Sequence, residues 1–137
     1  MREAWMWLAL CLAACLIACR PGGALPPDVF PPVVADVWRR TEMREMAVSE
    51  APDPVPRNSV DRVGTAHYEG PGKIDVRVYV LESAVVGLDL AQRWRPSSDT
   101  VFFNRGRYFV VVKWQEADRG ALHEFVRALE MRLGPRS

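Results

Sequence analysis

Val101-Phe102-Phe103-Asn104-Arg105-Gly106-Arg107-Tyr108-Phe109-Val110-Val111-Val112-Lys113-Trp114 decides how this chain folds. β-Branched and aromatic residues crowd both arms of the stretch, and such side chains fit a pleated, half-buried surface. Asn104 and Gly106 lie between the arms, and both tolerate the positive φ that a hairpin turn usually needs. The stretch therefore predicts two strands joined by a tight turn, with the rest of the domain packed on this hairpin. On the second arm Tyr108, Val110, Val112 and Trp114 share one face. Phe109, Val111 and Lys113 share the other, and Lys113 predicts that this second face reaches water toward its end.

Working outward toward the C-terminus, Asp118 is suited to cap a helix whose Leu122, Phe125, Val126, Leu129 and Leu133 form a broad apolar stripe. Gly134-Pro135 ends it. Toward the N-terminus, Ser83 is the N-cap of a helix running to about Arg95, with Val86, Leu90 and Trp94 on one stripe and Ala84, Leu88 and Ala91 beside it. Pro96 stops that helix. Lys73–Glu82 alternates cleanly, with Ile74, Val76, Val78 and Val80 on one face, and predicts a strand with one wetter side. Gly70-Pro71-Gly72 is a turn, and Val60–Glu69 a further strand.

Pro52, Pro54 and Pro56 exclude a helix or a central strand from Ser49–Asn58, which reads as a surface loop. Residues 33–46 stay open between a short helical turn followed by a strand near 39–48 and one helix over the whole span. The order strand, strand, helix, strand, strand, helix predicts an α+β domain: an antiparallel sheet with two helices packed on one face, a two-layer sandwich. The domain is assigned to residues 33–137.

The N-terminus has a different character. Ala4–Cys19 is continuously apolar, and sixteen residues of helix span only about 24 Å at 1.5 Å per residue. That is short of the ~30 Å hydrocarbon core of a bilayer, so an export signal over residues 1–18 fits better than a permanent span. The positive n-region is weak, because Glu3 offsets Arg2, and an uncleaved signal anchor is the alternative. Pro21–Pro32 holds five prolines and two glycines, and residues 19–32 read as a tether. All three cysteines, Cys11, Cys15 and Cys19, precede the domain, which therefore holds no internal disulfide. At over a hundred residues it needs none; staples are usual below about 70–80 residues.

Candidate sites are sparse. The chain has 137 residues and a net charge of +1, which gives no steering toward nucleic acid. His67 and His123 are the only histidines, too few for the three or four ligands of a metal centre without cysteine help, and they read as polar surface groups. Gly70-Pro71-Gly72 lacks the context of a phosphate loop, and no Gly-x-Ser-x-Gly elbow occurs. No motif calls for a cofactor. Arg93, Arg95, Arg105 and Arg107 would form a small basic patch toward anions or lipid headgroups if the first helix ends near the hairpin turn; otherwise they are solvated cap and turn residues. Trp38, Trp94 and Trp114 either line a pocket between sheet and helix or fill the core.

Leu16-Ile17-Ala18-Cys19 resembles the lipobox of bacterial lipoproteins. The resemblance implies a diacylglyceryl group on the Cys19 thiol, cleavage before Cys19 and acylation of the new amine. Export and attachment to the periplasmic side of a bacterial membrane follow from it, with membrane lipid as the first partner and an envelope protein as a further one. Leu12-Ala13-Ala14-Cys15 fits the same pattern, but Cys19 closes the apolar run and meets the tether at once. Val63–Leu133, with its Lys73–Leu81 strand, Ala84–Trp94 helix and Phe103–Phe109 hairpin, loosely resembles an uncharacterised family of exported bacterial α+β proteins without an assigned activity. Two functions are therefore carried forward, a membrane-anchored binding or interaction module and a cell-envelope hydrolase. The lack of a nucleophile–base pairing favours the first.

Overall fold

Two apolar faces on a single sheet organise this protein. The computed structural model describes Leu25 and residues 28–134. The lipobox with Cys19, the alternative Cys15 and the helix stop at Pro135 lie outside the described residues, as do the signal segment and most of the first half of the tether. Six strands run β1 (Val33–Val34), β2 (Trp38–Met46), β3 (Val60–Glu69), β4 (Lys73–Leu81), β5 (Thr100–Arg105) and β6 (Tyr108–Gln115). Helix α1 (Ala84–Arg93) separates β4 from β5, and α2 (Arg119–Leu133) follows β6. All pairings are antiparallel, in the order β1-β2-β3-β4-β6-β5. The class expected from the sequence, α+β with an antiparallel sheet and two helices, is the one observed.

The placement of the helices differs from expectation: they lie on opposite faces. Ile74, Val76 and Val78 of β4 and Val110 and Val112 of β6 pack with Leu122, Phe125, Leu129 and Leu133 of α2. Tyr79 and Leu81 of β4 and Phe109 and Val111 of β6 pack instead with Leu90 and Trp94 of α1. Successive side chains of a strand point to opposite faces, so the two sets cannot share a layer. The reason is in the sequence of both strands. Val78-Tyr79-Val80-Leu81 and Phe109-Val110-Val111-Val112 are unbroken apolar runs with nothing to leave in water, as in a sheet buried on both sides. As expected, the Phe109–Lys113 face reaches water at its end, where Lys113 is exposed.

The hairpin of β5 and β6 is likewise not central as a unit. β6 is interior beside β4, while β5 is an edge strand. Its turn rests on Gly106, which has φ +54, whereas Asn104 lies within β5. Gly87 brings α1 against that turn: a Cβ there would stand 3.1 Å from the Gly106 carbonyl oxygen. Both helix caps form as expected. The Ser83 hydroxyl accepts from the Val86 amide and the Asp118 carboxylate from the Ala121 amide.

Residues 33–46 form neither the helix nor the helical turn. Ala35 and Asp36 take left-handed φ of 50 and 62 and fold β1 back on β2. Val29 and Phe30, assigned by sequence to the tether, are buried with Trp38, Tyr68 and Phe125, and Leu25 packs on the same core. The packed body thus includes residues ahead of Val33.

Candidate functional site

The second face is where polar groups converge. Residues 51–56 cross it as a loop between two single turns of 3-10 helix, Val48–Glu50 and Arg57–Ser59. Prolines keep this segment out of the sheet, as expected. What fixes it in space is Asp53. Its carboxylate accepts from Arg77 Nε at 2.5 Å and Nη2 at 3.0 Å, and from the Tyr79 hydroxyl at 2.5 Å. The ion-pair side chains are only 14% and 11% exposed, so a forked guanidinium–carboxylate pair is held away from bulk water. Burial disfavours the Arg77 charge, but the hydrogen bond and charge of Asp53, with Tyr79 and Asp75, outweigh it and hold its pKa above the ordinary arginine value. Burial, then the bond to Asp53 and its charge, push the Tyr79 phenol well above its usual range, so it stays a donor.

With Asp53 anchored, Pro54, Val55 and Pro56 stand as one wall of a cleft of about 550 Å³. The opposite wall is the C-terminal end of α1, with Leu90 and Trp94 below and Arg93 and Arg95 at the mouth. Trp94 is seated by Phe109 and Phe102, with ring centroids at 5.2 and 6.0 Å. Its Nε1 is buried and is the one buried side-chain nitrogen or oxygen among the described residues without a hydrogen-bond partner. A buried donor normally finds a partner, and leaving one unmade costs about 1–3 kcal/mol.

The four arginines read as a patch are placed apart. Gly87, not the end of α1, meets the hairpin turn. Arg93 lies six residues further along α1, or about 9 Å at the helical rise. Arg105 pairs with Glu130 of α2 at 2.8 Å, on the other side of the sheet. Arg107 pairs with Asp61 at 2.8 Å and donates through Nε to the Leu81 carbonyl. Arg93 pairs with Asp89 one turn back. Arg95 donates through Nη1 to the carbonyls of Trp94 and Gln92 at 3.1 and 3.5 Å. Only Arg93 and Arg95 share a site, and it is the cleft.

His67 bonds Asp75 through Nδ1 at 2.6 Å on the exposed side of β3 and β4, with Glu69 3.6 Å from Nε2, while His123 is exposed on α2. Among the described residues, no three His, Cys, Asp or Glu side chains are grouped to hold a metal ion. Of the tryptophans, Trp38 is core, Trp114 half-buried and Trp94 the wall of the cleft. Sequence reasoning missed Asp53 altogether. Its only trace was a carboxylate inside a proline-rich loop, and the partner Arg77 lies 24 residues away with no spacing rule to join them.

Comparison with known proteins found no match among family models, curated proteins or solved structures. No helix among the described residues is long and apolar enough to cross a membrane.

Proposed function

We propose that this protein is a lipid-anchored binding module of the bacterial cell envelope, and that the cleft between the proline loop and α1 is its binding surface. The observation that carries the binding role is the cleft itself: about 550 Å³, within the ~300–1,000 Å³ usual for ligand sites. Its walls of Val55, Leu90 and Trp94 offer apolar surface, and two guanidinium groups at the mouth offer orientation. Leu16-Ile17-Ala18-Cys19 supports the anchor. Each buried acyl CH₂ adds about 0.8 kcal/mol, and one chain alone holds only marginally, so the lipobox chemistry of several chains suits stable attachment.

Two measurements test the two halves. Labelled palmitate should enter the full-length chain and the Cys15→Ser variant but not Cys19→Ser; label retained in Cys19→Ser removes the assignment. Hydrogen exchange of the full chain, with and without an extract of bacterial envelopes, should show protection confined to residues 51–58 and 90–95. Protection only elsewhere would reject the cleft as the binding surface.

A further inference from the structure

We infer that the cleft takes a single-chain amphiphile with an anionic head, the chemistry of a fatty acid. The inference rests on the cleft being the binding surface and names what it binds. Two features of the walls select this class.

The first is charge. The Arg95 guanidinium has five N–H donors, and only Nη1 is engaged, on the carbonyls of Gln92 and Trp94. Those bonds also cover the carbonyl end of α1, whose partial negative charge would otherwise oppose an anion. Arg95 has no carboxylate partner among the described residues, whereas Arg93 beside it is tied to Asp89. Asp53, next in sequence to the opposite wall, is consumed by Arg77 and Tyr79. The mouth therefore carries positive charge with free donors above an apolar floor.

The second disfavours a peptide laid along the proline loop. Pro54 and Pro56 have no N–H, and the Val55 amide is already spent on the Asp53 carbonyl at 2.8 Å. That wall has no backbone donors for a peptide to pair with, but it presents continuous apolar surface to an acyl chain.

Octanoate and octanol, equal in chain length and different in head, separate the elements of the proposal. The full-length lipidated chain, held in an amphipathic polymer, is titrated with each while tryptophan fluorescence is followed. Octanoate should bind saturably and about tenfold or more tighter than octanol, the scale of a charge-assisted hydrogen bond. Arg95→Gln should bring octanoate down to the octanol level and leave octanol unchanged, with Arg95→Lys between. Trp94→Phe should remove the optical response, and Leu88→Ala, on the exposed side of α1, should change nothing. Equal binding of both compounds, indifference to Arg95→Gln, or no saturable binding would each overturn the inference. The envelope-extract protection at 51–58 and 90–95 is independent of it, so its persistence would show that the binding surface stands and only the ligand class has failed.

Discussion

Trp38 and Trp94 sit on opposite faces of one sheet, are 0% and 8% exposed, and are treated differently. Trp38 Nε1 donates to the Ala121 carbonyl at 3.3 Å, and its ring meets Phe125 edge-on at 5.7 Å. Tyr68 beside it donates to the Pro31 carbonyl at 2.8 Å. These two polar handles tie α2 and the N-terminal segment to the sheet, and the face is closed. On the other face Trp94 has aromatic neighbours but no acceptor, and its covering loop stands off to leave a cleft. A buried donor paired across elements is a fastening; one left unpaired beside a cavity marks where the packing is incomplete. The first face is closed by its helix, and the second keeps an open cleft.

The sharpest way to break this contrast is to empty the closed face. Phe125 is fully buried at the meeting point of Trp38 and Tyr68. Phe125→Ala should cost about 3–5 kcal/mol in urea unfolding, the usual range for a large cavity in a packed core. A variant that unfolds like the parent would mean that α2 does not seal this face.

Next in size is the clamp of the open face. Asp53→Asn keeps the shape but leaves the Arg77 charge half-buried without its counter-ion. Breaking a buried pair costs about 3–5 kcal/mol. With side chains 11–14% exposed, some water relieves it, and about 2–3 kcal/mol is expected. The same variant should speed proteolysis within residues 51–58. Unchanged protease resistance would show that the prolines, not Asp53, hold the loop.

Local physics made much of this legible in advance. The bounds of β3, the caps Ser83 and Asp118, and the stripe of α2 follow from alternation, cap chemistry and helical spacing. Whatever depends on distant partners did not. The β1–β2 turn relies on left-handed Ala35 and Asp36, with no glycine to announce it. Val29 and Phe30 were hidden among prolines, though the core needs them to cover Trp38 and Tyr68. Leu88, expected beside the apolar stripe, is 55% exposed, because α1 turns Gly87, Leu90 and Trp94 inward instead. The opposed helices were readable in principle, since the double-sided apolar runs of β4 and β6 demanded cover on both sides. The cleft was not readable, because it exists only once Asp53 meets Arg77.

Tyr68 sharpens the comparison through pH. Burial, partly opposed by Arg40 and Arg132, pushes Tyr68 up to about 12 from 10.0. A phenol whose folded pKa is raised binds its proton more tightly when folded. The associated stability is fully present below pH ~10, the unfolded value, and is lost as pH rises through the folded value. Stability should therefore fall between pH 10 and 12, by about 2–3 kcal/mol for Tyr68 at 1.36 kcal/mol per unit. Tyr68→Phe should flatten that part of the fall, at the cost of about 1 kcal/mol at neutral pH for the lost bond to Pro31. If the alkaline slope is the same in both proteins, Tyr68 is not sealed by the closed face.

The smallest effect is the most direct test of the pair. Trp→Phe removes a similar volume at either site, so the cavity costs should be comparable. The hydrogen-bond costs should not. Trp38→Phe leaves the Ala121 carbonyl without its indole donor, while Trp94→Phe deletes a donor that had no partner to lose. A net hydrogen bond is worth about 0.5–1.5 kcal/mol, so Trp38→Phe should be the more destabilising by roughly 1 kcal/mol. Paired urea melts, in the same buffer and without added amphiphile, would measure it. The sign matters more than the size. Should Trp94→Phe prove equal or worse, the Trp94 indole must already have an acceptor, and the open face would be as fully fastened as the closed one.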